Sequence, residues 1–452
     1  MRTFLTIVFF LFSLYGSSQI TVRSASSEGF EERIRNYVDQ IRIVDTHEHL
    51  IAEEDFLNRK NLDFLHLFHW YIADDMVSSG INSDTLKRLR KADIPPLEKW
   101  EMIKPYWELS KMTAYGRSIL LTLKSLYGIE DINDSTCLLL TEKVRESQKT
   151  GWYREILKNK AGIDISINDI YIHKNPDRDL FKYVMRYDNF VLVRSRDEIV
   201  KQEQHYGQKI QNLDDYMKAL DKAFQEGIDF GMVGVKSALA YERPLFFEEC
   251  SKEQAETIFN TLMQENNRLD FEKVKPLQDF VMHHILQLAS TSKMPVTIHT
   301  GLHAGLSFGR YHPDITWSDP THLIDLFSRY PEVKFALMHG SYPYGGELAA
   351  MAKNYPNVYI DMCWLYIISP SYSMRYLNEW IETIPLNRIM GFGGDLNNVE
   401  AVYGHALLAR QIVTGVLTEK VASGYLSEEE AKYAASRILR ENAISFFQLD
   451  AE

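Results

Sequence analysis

Five short apolar runs in this 452-residue chain each stop abruptly at a polar residue. They occupy residues 43–49, 233–236, 296–299, 335–339 and 389–395. A parallel strand that is buried on both faces is a nearly continuous apolar run, and the polar residue marks where the strand gives way to a loop. Because catalytic groups occupy that position in (β/α)8 barrels, the pattern predicts an α/β fold of this class.

The first run contains a His-x-His pair, His47 and His49. Residues i and i+2 of a strand point to the same face, so both imidazoles can bind one ion while Glu48 points away. One such pair arises easily by chance and proves nothing alone. The ordered set is more specific, because Lys236, His299, His339 and Asp395 follow at the ends of later strands.

This ordered set resembles the motifs of the amidohydrolase superfamily of metal-dependent barrel enzymes, over about residues 41 to 448. Residues 233–245 and 355–362 are similar to one broad subgroup. That subgroup includes uronate isomerases, aminocarboxymuconate-type decarboxylases and amidohydrolase domains fused to glutamine synthetase. The resemblance implies that the strand-end residues form a metal-dependent catalytic site.

We expect His47, His49, His299 and Asp395 to bind a divalent ion and to leave a position open for water or substrate. Imidazole and carboxylate ligands suit zinc, which we favour, and also manganese, iron or nickel. A divalent ion lowers the pKa of its water toward neutrality, and Asp395 can accept the proton as that water attacks.

Two further strand-end residues leave alternatives open. The resemblance implies that His339 is either a ligand of a second ion or an acid/base that polarises the substrate, and a core histidine is the remaining alternative. We favour the acid/base role. For Lys236 the resemblance implies a carboxylated side chain that bridges two ions; the alternatives are an ammonium that pairs with a substrate carboxylate or oxyanion, and a structural ion pair. The uncarboxylated, one-ion form is preferred.

Substrate contacts are expected from the loops that follow the strands. Arg243 carries a forked donor suited to a carboxylate, although a surface salt bridge is equally compatible with its position. The other residues expected at the same mouth are His303, Arg310, Tyr311, His312, Tyr342, Tyr344 and Trp364.

The composition excludes some partners and ligand types. A net charge of -12 disfavours nucleic acid and anionic membranes as partners, so small molecules are the expected ligands. The three cysteines are widely spaced and suggest neither a disulfide framework nor a thiolate zinc site. Cys363 lies in an apolar run and is expected to be a small buried side chain. A homodimer is the expected assembly from its general frequency.

The chain divides into three predicted parts. Residues 1–18 have the charged, apolar and small-residue regions of a signal peptide, which predicts export to the periplasm or medium and no stable membrane insertion after cleavage. Residues 28–49 and 161–448 form the barrel, and residues 50–160 have helical spacing and form an inserted lid. Strand two is predicted near residues 163–172 and strand three at 190–194.

These features predict a metal-dependent hydrolase whose activated water attacks an amide, lactone or similar carbonyl of a small carboxylate-bearing molecule. Two alternatives stay open. One is isomerisation of a uronic acid or non-oxidative decarboxylation on the same barrel. The other is a non-catalytic exported binding protein that keeps the metal only for its structure.

Overall fold

The computed structural model of the chain describes residues 28–449, apart from residues 90, 92, 170–172, 174–175, 265–267 and 309–313. The predicted signal peptide, residues 1–18, therefore lies outside the described residues, as do Arg310, Tyr311 and His312. None of the helices in the described part of the chain combines the length and the apolar character that a membrane span requires.

Eight parallel strands follow one another around a barrel in chain order. Their bounds are β1 Ile43–Glu48, β2 Ile163–Asn168, β3 Phe181–Arg186, β4 Gly234–Ser237, β5 Val296–Ile298, β6 Phe335–Leu337, β7 Val358–Asp361 and β8 Ile389–Met390. The residues after β8 close the barrel, because the N–H of Thr46 donates to the carbonyl of Phe392 and that of Asp395 to the carbonyl of His47, each at 2.9 Å. The predicted fold class is confirmed.

The α-helices lie between and around these strands. Their bounds are α1 Glu28–Gln40, α2 Glu53–Leu57, α3 Trp70–Ser78, α4 Ser83–Leu89, α5 Pro96–Ser110, α6 Ala114–Thr122, α7 Cys137–Glu146, α8 Trp152–Arg154, α9 Asp188–Val191, α10 Arg196–Tyr206, α11 Leu213–Phe230, α12 Lys252–Gln264, α13 Phe271–Thr291, α14 Ile324–Arg329, α15 Gly345–Asn354, α16 Leu365–Ile368, α17 Pro370–Thr383, α18 Val399–Ala422, α19 Glu428–Ser436 and α20 Asn442–Phe447. Helices α2 to α8 lie between β1 and β2, as the helical spacing of that region predicts.

The prediction for strand three is wrong. Residues 190–194 do not form a strand: residues 190 and 191 are the end of helix α9 and residues 192–194 follow it, with Phe190, Val191 and Val193 packed in the core. The strand is instead β3, which ends at Arg186. Periodicity cannot separate a short apolar run in a strand from one in a buried helix or turn. Residues 190–194 form such a run, so their sequence is compatible with either structure.

A buried carboxylate joins the inserted helices to the barrel. Glu400 lies in the first turn of α18 and accepts hydrogen bonds from Trp152 Nε1 at 2.8 Å and His66 Nε2 at 3.2 Å, both of which belong to the insertion. Burial alone would raise the pKa of Glu400, but the charge of His66 and these hydrogen bonds hold it below its usual value. The ionised form therefore stabilises the contact between insertion and barrel.

We expect this contact to weaken in acid. A carboxyl whose folded-state pKa is depressed contributes stability that is complete above its unfolded value, 4.5, and is lost as the pH falls through the lower folded value. Acid unfolding followed by tryptophan fluorescence should therefore be shallower below about pH 4.5 in Glu400→Gln than in the parent chain. Parallel acid limbs in the two proteins would contradict a role for this carboxylate.

Candidate metal centre

Strand β1 presents His47 and His49 side by side. Their ring centroids are 4.8 Å apart, and both side chains are buried. The pairing of β1 with β2 shifts register between Asp45 and Glu48, which is the signature of a β-bulge. Irregularities of this kind next to active sites re-aim side chains, and this one contains His47, one of the candidate ligands.

Asp395 lies against both histidines, although it is more than three hundred residues away in the chain. Its Oδ1 is 2.9 Å from His49 Nε2 and 3.4 Å from His47 Nε2. Burial would raise the pKa of Asp395, but the hydrogen bond to His49 and the charges of both histidines hold it well below its usual range. The carboxylate is therefore ionised and faces two imidazole nitrogens.

A second carboxylate approaches the same histidine pair. Asp169 follows β2, and its Oδ2 is 3.7 Å from His47 Nε2. Donor atoms of His47, His49 and Asp169 all lie within 4.8 Å of one another and are buried. Arg186, at the end of β3, binds both oxygens of Asp169 through Nε at 2.7 and 2.9 Å. Two imidazoles and two carboxylates thus meet in a space that suits a divalent ion.

His299 and His339 form the other side of the centre. His299 Nδ1 is 2.8 Å from His339 Nε2. The other ring nitrogen of each histidine faces a backbone carbonyl: His299 Nε2 is 2.9 Å from that of Leu302, and His339 Nδ1 is 3.2 Å from that of Cys363. Because a carbonyl can only accept, these two nitrogens act as the donors. Burial lowers the pKa of His339 to about 3, so the ring is neutral. With the ring protons on the nitrogens that face the carbonyls, His299 Nδ1 and His339 Nε2 are both available to bind a cation.

Three residues at the ends of β6, β7 and β8 adopt left-handed backbone conformations. The φ angles of His339, Trp364 and Asp395 are 63, 65 and 57°. Such conformations cost about 1–3 kcal/mol at each residue that is not glycine, and they concentrate at functional sites. Two of the three carry candidate ligands, which indicates that the fold accepts strain to aim them.

Lys236 and Arg186 supply positive charge beside the centre. Both line one cavity of about 840 Å³ together with His47, His49, His299, His339 and Asp395. Burial and the charge of Arg186 lower the pKa of Lys236. Arg186 keeps its charge because Asp169 binds it bidentately. The cavity therefore combines the candidate ligands with cations that suit an anionic substrate.

The inserted helices cover part of this cavity. Trp70 and Tyr71 of α3 line it, and the Tyr71 hydroxyl contacts both the carbonyl and Oδ2 of Asp395, at 2.8 and 2.6 Å. Asp74, one turn further along α3, accepts hydrogen bonds from the N–H groups of Gly305 and Ser307, both at 2.7 Å. The insertion thus contacts Asp395 directly and anchors the loop after β5.

We expect Asp74→Ala to release the loop after β5. Gly305 lines the cavity, and the variant removes the hydrogen bond that holds it to α3. The looser loop should bind substrate less well, so KM should rise several-fold while kcat changes little. Hydrogen exchange of residues 302–308 should accelerate in parallel. The control is Asp84→Ala, which removes an exposed carboxylate from α4 of the same insertion. Equal KM values and equal exchange in the two variants would contradict the anchoring role.

Four residues predicted to contact substrate lie in different environments. Arg243 is fully buried and bonds to Asp279 at 2.6 Å, Gln278 at 3.1 Å and the carbonyl of Phe246 at 2.9 Å. These contacts engage its guanidinium on α13 and not at the cavity, so the structure does not support its predicted role. Arg243 forms a salt bridge with Asp279, as the alternative prediction had it, but this salt bridge is buried and not on the surface.

None of the other three lines the cavity. His303 stacks on His299 with ring centroids 5.5 Å apart. Trp364 stacks on Tyr71 at 4.4 Å and meets His339 edge-on at 5.2 Å, so it supports residues of the centre. Tyr342 packs against Tyr372, away from the cavity.

Sequence reasoning missed Asp169, Arg186, Asp188, Tyr71 and Tyr241, all of which line the cavity. Asp169 directly follows β2, whose apolar and polar residues alternate, and it was overlooked because that strand was extended to residue 172. Arg186 and Asp188 were missed because strand three was misplaced. Tyr71 and Tyr241 carry no periodic signal, since they come from a helix and a loop that only tertiary packing brings to the cavity.

Comparison with known proteins agrees with this geometry. The family model described as amidohydrolase matches residues 257–449, which contain His299, His339 and Asp395. The chain belongs to the amidohydrolase superfamily. It is 28% identical to protein fluG of Emericella nidulans over 234 residues, which are 50% of this chain but only 26% of that protein. A match to the uronate isomerase of Nostoc punctiforme likewise spans 56% of that enzyme.

Two uronate isomerases are similar to this superfamily member over nearly its whole length. That of Phenylobacterium zucineum is 23% identical over 458 residues, with 91% of this chain and 92% of the enzyme covered. The crystal structure of the Thermotoga maritima uronate isomerase superposes with a TM-score of 0.77 at 17% identity, covering 92% of this chain and 97% of that one. At these identities the structural likeness establishes the fold alone.

Proposed function

We propose that this amidohydrolase-superfamily enzyme interconverts the aldose and ketose forms of a uronic acid or a closely related sugar acid. The observation that carries the proposal is a cavity in which a buried His/His/Asp cluster and two cations, Lys236 and Arg186, lie together. A uronate has the matching groups, a carboxylate at one end and a carbonyl beside a hydroxyl at the other. Uronate isomerases with near-complete coverage support this choice.

The reaction moves hydrogen without adding water. The C2–H and C2–OH protons leave, a C1–H bond and a C1 hydroxyl form, and the carbonyl moves from C1 to C2. When bound by His47, His49 and Asp395 or Asp169, a divalent ion would polarise the reacting oxygens as a Lewis acid. Zinc is our first proposal, because imidazole and carboxylate donors suit it, with manganese as the alternative.

The residues of the chain supply binding and proton transfer. Lys236 and Arg186 would hold the substrate carboxylate through charge-assisted hydrogen bonds. Asp395 would accept a proton at a carboxylate oxygen, and Tyr71, 2.6 Å from Oδ2, would hold that carboxylate in place. The α3 side of the cavity would exclude water from the reacting carbons.

The test is incubation of the metal-loaded protein with glucuronate and galacturonate in D2O, followed by NMR. We expect a ketose product, deuterium at a carbon next to the carbonyl, and loss of both when a chelator removes the metal. Unchanged uronates under conditions in which the protein retains its metal would overturn the proposal. The control is incubation of the same uronates with the free metal ion at the same concentration, which measures isomerisation that the metal catalyses without the protein.

Hydrolysis is the second candidate, and one observation favours it. Asp395 lies between the His47/His49 pair and His339, so a water on the metal would have a carboxylate acceptor beside it. Such a site could attack an amide or lactone of a carboxylate-bearing molecule. Chelator-sensitive turnover of an amide and lactone panel, without uronate isomerisation, would support this reaction instead.

Export and assembly remain proposals on separate grounds. We propose that residues 1–18 direct the chain to the periplasm or medium and that it works there on a small molecule, as a homodimer. Fractionation of expressing cells with amino-terminal sequencing of the product tests export. Light scattering of the purified protein tests the dimer.

A further inference from the structure

Cys363 is the second residue after the end of β7, and its thiol lies on the side of the candidate metal centre that contains His339. Donor atoms of His339, Cys363 and Asp395 all lie within 4.8 Å of one another, and all three side chains are buried. A thiolate is a strong ligand for zinc and for other borderline or soft ions. Imidazole, thiolate and carboxylate together form a donor set that is sufficient for a metal.

A second observation points to a cation at the same position. The facing nitrogens of His299 and His339 are 2.8 Å apart, and each ring is oriented by a backbone carbonyl that can only accept a hydrogen bond. Metal-binding histidines are commonly oriented in this way, with the outer nitrogen donating to a carbonyl and the inner one free to coordinate. This argument does not involve the cysteine.

The backbone of the loop after β8 confines the thiol. A Cβ on Gly393 would lie 2.7 Å from the Cβ of Cys363 and 2.8 Å from its Sγ, so only glycine allows this approach. The N–H of Trp364 donates to the carbonyl of Gly393 at 2.8 Å and fixes the spacing of the two segments. The thiol is therefore held between β7 and β8 beside the centre.

We propose that Cys363 is a ligand of a second divalent ion, which it binds with His299, His339 and a shared Asp395. On binding, the S–H bond breaks, a sulfur–metal bond forms and one proton passes to solvent. Cys363 then completes the second position, and Lys236 need not be carboxylated. The inference rests on the metal centre of the proposed function and replaces the expectation that only nitrogen and oxygen ligands are used.

The test is titration of the metal-free full chain with Co²⁺, followed by absorption spectroscopy. We expect two equivalents to bind, one with a near-ultraviolet thiolate-to-cobalt charge-transfer band. Cys363→Ala should lose the band and one equivalent, and Cys363→Ser should lose the band. Cys250→Ala is the matched control, because that half-buried cysteine lies outside the centre, and it should retain both.

Three outcomes would overturn the inference: no charge-transfer band in the parent chain, a band that survives in Cys363→Ala, or a second equivalent that survives there and depends on bicarbonate. The last would assign the position to a carboxylated Lys236. If an alanine variant fails to fold, ¹¹³Cd NMR of the parent chain decides through the downfield shift of thiolate-bound cadmium. A protein with the band but no isomerase activity would uphold this inference and overturn only the proposed reaction.

Discussion

Asp395→Asn is expected to lower kcat/KM by about 10³-fold, the loss typical of removing a positioned proton acceptor. Asparagine keeps the size of the side chain and can still accept the Tyr71 hydrogen bond, but it removes the negative charge between His47 and His49. The two imidazoles lose their shared carboxylate partner, whose Oδ1 is 2.9 Å from His49 Nε2 and 3.4 Å from His47 Nε2. The measurement is steady-state kinetics on the substrate identified by the NMR assay, together with the metal content of the purified variant.

The matched control is Asp164→Asn on strand β2. Asp164 pairs with Arg42 and Arg440 at the other end of the barrel, at 2.7 and 2.6 Å, and does not line the cavity. We expect it to retain parental kcat/KM and metal content. A variant at Asp395 with activity within about tenfold of the parent would place proton transfer on another group of the cavity.

Arg243→Met is expected to destabilise the protein by about 3 kcal/mol, the lower end of the cost of breaking a buried ion pair. Arg243 and Asp279 have side-chain exposures of 0% and 1%, so the variant leaves Asp279 buried without its guanidinium. Lys275, 2.5 Å from the other oxygen of Asp279, limits the loss. Urea unfolding measures the free-energy change, and KM per folded molecule should stay at the parental value.

Arg329→Met is the matched control for this variant. Arg329 pairs with Glu249 at 2.8 Å, with 40% and 77% of the two side chains exposed, so its loss should cost no more than about 1 kcal/mol. A raised KM for the Arg243 variant, with unchanged stability, would return this residue to the substrate-binding role predicted from the sequence.

The sequence was informative where strand period and burial act together. An apolar run that ends in a polar residue locates a buried strand and its mouth-facing group at once, as for β1 with His47 and His49. Strand β3 shows the limit of the same reasoning. Its alternating residues, Phe181 to Arg186, give a weaker signal than the more apolar run that follows, and that run packs in the core without joining the sheet.

The role of a charged side chain was harder to predict, because it depends on which partner is nearer in space. Arg243 follows β4 as a substrate-binding arginine would, yet Asp279 on α13 engages it. Arg186 had no assigned role, yet it reaches the cavity with Asp169 beside it. Desolvation makes each buried charge take the partner that packing brings nearest, and spacing along the chain contains no such distance.

By itself, the sequence determined the barrel class, the order of the strands and the helical insertion, because these follow from local periodicity and from the short range of backbone hydrogen bonds. Only the tertiary structure decided which groups share the centre. Asp169 and Asp395 approach the His47/His49 pair, and Cys363 approaches His339 and Asp395, where the structure has a register shift in β1, left-handed backbone at His339 and Asp395 and a glycine beside the thiol. Asp169 and Asp395 are both more than a hundred positions from His47 in the chain, and their contacts depend on packing distances of a few tenths of an ångström that no local pattern encodes.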